Sequence, residues 1–213
     1  MPFVSYGVEV DQQQLSEAIS YFEFVGGQTE DAIRIGINKT GPKVKTLASR
    51  EIRGELRLKA SYVNGRLSFT RASRSNLSGR ISANSRGILL TRFSTNNQIN
   101  GDKVSWFKPP LNPPNGIRVK VKPKGASQLV KGEPGEIRGK PFYMILPNSR
   151  ALAIAGRRAT VGTREGKLKI FYGPSVSQTF DTLRGTIVPE ATNVFQSQLL
   201  DAMRFVLAKK FPK

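Results

Sequence analysis

The chain has 213 residues, with 34 Lys and Arg against 15 Asp and Glu, a net charge of +19, and neither His nor Cys. Without those two residue types, Ser-His triads, Cys-His pairs, disulfides, thiolate chemistry and nearly all zinc sites are excluded. A chain this basic, with a pI near 10.7, seeks polyanions or acidic protein faces.

The charge is uneven. Residues 1–30 carry Glu9, Asp11, Glu17, Glu23 and Glu30 and no Lys or Arg, whereas from Arg34 onward the chain is basic. The opening MPFVSYGVEV has no basic segment followed by an apolar run, and no stretch approaches the roughly 18–20 apolar residues that span a bilayer. The expectation is a soluble protein made in the cytoplasm, folded as one domain over residues 1–213.

Residues 11–24 read as a helix, with Leu15, Ala18, Ile19 and Phe22 on one face and Asp11 at its start. A second helix is expected over 29–40, where Glu30 and Asp31 suit the first turn and Gly41-Pro42 interrupts. From Pro42 to about Leu58, the residues Val44, Leu47, Ala48, Ile52 and Leu56 form an apolar stripe at helical spacing. At about 100° per residue, Lys43, Arg50, Arg53 and Arg57 fall on the opposite side. That basic stripe is either a solvated face or a docking face for an anion or acidic partner.

Near Asn64-Gly65 the period changes from about 3.6 to 2. Strands are expected in 67–70, 78–83, 88–93, 117–122, 142–146, 151–155 and 168–172, as an antiparallel meander. Between them, residues 94–116 hold four prolines and several Asn and Gly, which suits neither helix nor central strand. A segment of this length without regular structure is either disordered or functional; we read it as an arm that reaches a neighbouring subunit or ring protein, with Trp106 and Phe107 as its aromatic anchor. Ser175 or Ser177 caps a short helix through about Leu183, and a long helix follows over 189–210 with Val194, Phe195, Leu199, Ala202, Phe205 and Val206 on its apolar face.

The whole is an α+β pattern. Residues 1–63 form a helical N-terminal part, 64–172 a mainly β part with the arm 94–116, and 173–213 a helical C-terminal part. The helices are expected to pack on one antiparallel sheet.

Catalytic signals are weak. Glu133 and Glu136 are close in sequence but lack a third carboxylate for a magnesium site. Gly132, Gly135 and Gly139 are not spaced as a nucleotide loop, and Gly173-Pro174-Ser175-Val176-Ser177 lacks both the final Gly of a nucleophile elbow and a His to activate the serine.

Three segments carry a resemblance. Asn38-Lys-Thr-Gly-Pro-Lys-Val-Lys-Thr-Leu-Ala-Ser-Arg-Glu-Ile52 through Leu58-Lys-Ala-Ser-Tyr-Val63, then Ser78 to Arg92-Phe93, then Leu168-Lys-Ile-Phe-Tyr-Gly-Pro-Ser-Val-Ser-Gln-Thr-Phe180 followed by a long helix, resemble the phage minor tail protein Z family in order and spacing. The stretch from Ser94 to about Lys140 carries none of the likeness. The resemblance implies a tail completion protein: a non-enzymatic virion component at the head-proximal end of the tail, needed for head joining and for placing the DNA end in the conduit. It implies a homo-oligomeric ring, sixfold by analogy with tail symmetry, that touches other neck and tail proteins and genomic DNA. It brings no catalytic, cofactor-binding or metal-binding residues. The competing reading is a basic nucleic-acid-binding protein, although no reading motif such as a helix-turn-helix is present; an enzyme would need Lys or carboxylate chemistry at a site the sequence does not reveal.

Overall fold

A computed structural model describes residues 5–7, 29–95, 108–159 and 167–210. The chain is α+β, with two 27-residue helices and several small antiparallel sheets. It forms two compact units, one of residues 1–52, 59–85 and 176–213 and the other of 53–58 and 86–175. The expected helix over 11–24 and the anchor Trp106-Phe107 lie outside the described residues.

In the first unit, α1 (Thr29–Glu55) buries Ala32, Ile33, Gly36, Thr40, Val44, Ala48 and Ile52, an i, i+4 stripe that continues past its midpoint. The expected break at Gly41-Pro42 does not occur, and two separate helices become one. Pro42 removes an N–H donor from the helix interior, a cost of about 3 kcal/mol. Packing overrides it. A Cβ on Gly41 would lie 2.1 Å from Cζ of Phe69, so the bare backbone at Gly41 is where that aromatic ring rests. Three residues earlier, Asn38 donates from Nδ2 to the Ala72 carbonyl (3.0 Å) and its Oδ1 accepts from the Ala72 N–H (2.9 Å), which pins the same stretch of helix to the chain beyond the second strand.

The second long helix packs on α1. A short helix, α2 (Ala60–Asn64), buries Val63, and α3 (Val176–Thr182) leads into α4 (Arg184–Lys210). The last helix starts five residues before the expected Pro189, because the Leu183 carbonyl accepts from the N–H groups of Thr186 and Ile187 and draws buried Ile187 into the first turn. Phe195, Leu199, Ala202 and Val206 are buried as their spacing predicts; Phe205, at the margin of that face, is exposed, and Gln198 is buried in its place. Ile33 meets Phe195 and Leu199, flanked by Ile37, Leu77 and Met203. At Gly36, a Cβ would stand 3.3 Å from the Leu199 Cα, so the two helix backbones approach closely there. The sheet of this unit has the order β1 (Ser5–Gly7), β3 (Arg80–Ala83), β2 (Leu67–Thr70), all antiparallel, with Leu67, Ile81 and Ala83 buried by alternation.

The second unit has its own core of Ile88, Phe93, Ile117, Val119, Val130, Tyr143, Leu152, Ala153, Ile154, Ala155 and Phe171. Strand β4 (Ile88–Leu89) is followed by a 3-10 turn over Leu90–Phe93, shorter as a strand than the alternation of 88–93 suggests. The turn is held by Thr91, whose Oγ1 donates to the Leu152 carbonyl at 2.7 Å in the interior. The pair β5 (Arg118–Val119) and β6 (Gln128–Leu129) is antiparallel, as is a larger sheet of order β7 (Ile137–Ile145), β8 (Leu152–Arg158), β9 (Leu168–Ile170); β10 (Tyr172–Gly173) pairs with β4. The single expected sheet is therefore four small ones among the described residues. Pro and Gly between strands, including Pro109, Pro110, Pro113, Pro114, Pro123, Gly125, Gly132, Pro134 and Gly135, interrupt the ladders that one continuous sheet would require.

The described ends of the segment read as an arm fold onto this unit. Ser94 is buried, with its hydroxyl 2.8 Å from that of Tyr143, and Asn112 Oδ1 accepts from the Tyr143 N–H at 2.9 Å. Gly116, at φ +80°, closes a turn by donating to the Pro113 carbonyl.

Candidate anion-binding surface

On α1, Lys43, Arg50 and Arg53 are exposed while Val44, Ala48 and Ile52 are buried, so the basic stripe opposes the apolar one as the spacing predicts. Arg50 is already engaged: its Nε donates to Glu51 (3.0 Å), and its guanidinium stands 3.7 Å from Glu190 of α4. Arg57 leaves the stripe. The helix ends at Glu55, not at Leu58, and Arg57 is half-buried in an extended segment whose N–H donates to the Val121 carbonyl at 2.8 Å. Once the backbone turns to pair with that segment, the helical 100° step no longer governs where Arg57 lies.

A second basic surface emerges only from the fold. The second unit holds 19 Lys and Arg against five Asp and Glu, a net of +14 of the chain's +19, while the first unit holds 15 against ten. In its larger sheet, Arg138 of β7 stands directly opposite Arg157 of β8, and Arg157 is itself opposite Leu168 of β9. Both arginines are exposed. Between the register positions of Arg138 and Phe142 the ladder is irregular, and this bulge carries exposed Lys140. Exposed Lys167 joins the same end of the sheet, its carbonyl accepting from the Arg158 N–H at 3.0 Å. The Arg157 guanidinium lies over the Phe142 ring, 5.9 Å from its centroid.

Glu136, the acid that immediately precedes β7, is taken. Its Oε1 accepts from Lys169 Nζ, and its Oε2 accepts from the Glu133 N–H at 3.2 Å. The Lys169 hydrogen bond, ahead of the Glu133 N–H and nearby cations, holds the Glu136 carboxyl below the usual carboxylate range. The Glu133–Glu136 pair thus fastens a turn to β9. Among the described residues no group of three or more Asp and Glu is placed to hold a metal ion. Ser175 and Ser177 are buried at the start of α3, and Gly173 is required by packing, since a Cβ there would come within 2.8 Å of the Phe93 ring.

The chemistry of the arrangement is electrostatic. Neither Arg138 nor Arg157 has an ion pair among the described residues, and like charges directly opposite on a sheet repel. An anion lying across both removes that repulsion. Neighbouring Arg157 and Arg158, and the Arg138-Gly139-Lys140 run, are the only local sequence signals of this cluster; their juxtaposition depends on register.

No family model matches the sequence, and no curated protein or solved structure matches it either. No helix among the described residues is long and apolar enough to cross a membrane.

Proposed function

We propose that this chain is a structural, non-enzymatic component of a bacteriophage virion: a minor tail protein that acts at the head-proximal end of the tail as a tail completion, or head–tail joining, protein of the neck. In this reading it is made in the host cytoplasm, assembles as a sixfold homo-oligomeric ring, and works through shape and charge. Its partners are other copies of itself, neighbouring neck and tail proteins, and the genomic DNA that passes through the conduit.

The observation that carries the reading is the set of segments resembling the tail protein Z family. They correspond here to α1 with α2, to β3 through the 3-10 turn, and to β9 through α3, and the long helix expected after the last of them is α4. Electrostatics supports it, because a connector between a DNA-filled head and a tail meets both phosphate and acidic protein faces.

The experiment is a virion carrying a labelled copy of this chain, viewed by electron microscopy. Label at the junction of head and tail supports the proposal. Label at the distal tip, or tails that join heads normally when the chain is deleted, refutes it. The alternative, a basic nucleic-acid-binding protein with no place in a virion, is favoured by the +14 concentrated in one unit; absence of label from purified virions would select it.

A further inference from the structure

From the in-register arginines we infer that the end of the β7–β8–β9 sheet marked by Arg138 and Arg157 is a docking surface for the sugar-phosphate backbone of double-stranded nucleic acid, with Arg138, Lys140, Arg157 and Lys167 as its phosphate contacts. Opposite residues on adjacent antiparallel strands lie only about 4.5–5.5 Å apart at Cα, so Arg138 and Arg157 leave the sheet from directly opposed positions, within reach of one phosphate run. In the free protein this arrangement weakens the sheet. Bound phosphate reverses its sign, and arginine, with planar bidentate donors, suits that role.

The surface fits a duplex better than an acidic protein. Protein interfaces have a core enriched in aromatic and apolar groups with charge pushed to the rim. Here the exposed positions are dominated by cations, and the only large hydrophobic residue exposed beside them among the described residues is Leu168. Nucleic-acid interfaces are much more positive than protein ones, and a duplex presents one phosphate about every 3.4 Å of axis on each strand. Single strands are a poorer fit, because they require bare aromatic faces for stacking, and the Phe142 ring lies beneath Arg157. Contacts made only by Lys and Arg to phosphate imply binding without sequence preference.

The inference is independent of the tail assignment. A chain missing from virions that still binds duplex through these residues would end that assignment and leave this one standing; a chain found in the neck whose duplex binding ignores them would do the reverse.

The test measures binding of the purified full-length chain to a fluorescent duplex of mixed sequence, by anisotropy, from about 50 to 200 mM salt. Arg138→Gln with Arg157→Gln is expected to reduce the slope of log K against log salt by about 1.8 and to lower affinity about 60-fold near 0.1 M salt, at about 0.9 log units for each lost phosphate contact. The thermal midpoint of the double variant should equal or exceed that of the parent, because the cross-strand repulsion is gone. Lys140→Gln with Lys167→Gln, which leaves the Arg138–Arg157 register pair intact, should give a similar loss and serves if the first variant does not fold. Unchanged slope and affinity in a folded variant overturn the inference. So does competition by poly-glutamate as effective, charge for charge, as competition by unlabelled duplex, which would assign the surface to an acidic protein.

Discussion

Replacing Gly41 by Ala should destabilise the first unit, against the usual effect of that substitution in a helix. Ala is favoured over Gly in a helix interior by about 1 kcal/mol. At Gly41, however, the new Cβ would lie 2.1 Å from Cζ and 2.3 Å from both Cε atoms of Phe69. The ring has little room to retreat, since on Gly79 a Cβ would already be 3.2 Å from Phe69 Cε2 and 2.5 Å from Ile37 Cγ2. Phe69 therefore sits in a slot whose walls depend on two glycines. Overpacking of this kind costs about 1–3 kcal/mol, and with both walls engaged the upper part of that range applies. After the helix gain is subtracted, the net loss is about 1–2 kcal/mol, or roughly 2–8 °C in melting temperature for a chain of this size. Gly54, where an added methyl would have no neighbour within 4 Å, is the internal control. Gly54→Ala should be neutral or stabilising by up to about 0.5 kcal/mol, given its place in the last helical turn. Denaturant and thermal unfolding of both variants, read by far-ultraviolet circular dichroism, measure the difference. If Gly41→Ala is as stable as the parent, or if adding Phe69→Leu to it restores no stability, the slot argument is wrong.

Three further outcomes are expected. Glu136→Gln should lower the melting temperature at neutral pH: the folded-state pKa of Glu136 is depressed by Lys169, so its contribution is present above the ordinary carboxylate range and is lost as pH falls through the depressed value. Parent and variant should then converge in acid, and a gap that persists to strongly acidic pH would show that the charge of Glu136 is not the cause. Lys43→Glu with Arg53→Glu should block incorporation into tails while the variant still folds, as read by circular dichroism, because both side chains are exposed; normal assembly of this variant would show that the stripe is merely solvated. Trp106→Ala with Phe107→Ala should weaken ring formation, read by light scattering or by incorporation into tails, while leaving monomer stability nearly unchanged; an unfolded monomer would instead assign both rings to the chain's own core.

Local patterns in the sequence determine much of this protein. The spacing of Val44, Ala48 and Ile52, and of Phe195, Leu199, Ala202 and Val206, specifies the buried faces of the two long helices, and alternation places Leu67, Ile81 and Ala83 in the core. The exposure of Lys43, Arg50 and Arg53 follows from the same arithmetic, and the lack of His and Cys removes whole classes of chemistry before any fold is known. Tertiary structure decided the rest. Gly41-Pro42 is a helix terminator by local propensity, yet α1 continues through it because Phe69, 28 positions further along the chain, needs the bare backbone at Gly41. The end of α1 at Glu55 removed Arg57 from the basic stripe, since a hydrogen bond to Val121 competes with the helix. Arg138 and Arg157 face one another only because a bulge sets the register of β7 on β8. Periodicity records which side of its own element a residue occupies, whereas register and the continuation of a helix through a weak point are fixed by partners distant in the chain, whose packing together outweighs local preferences of about 1 kcal/mol for Gly and about 3 kcal/mol for Pro.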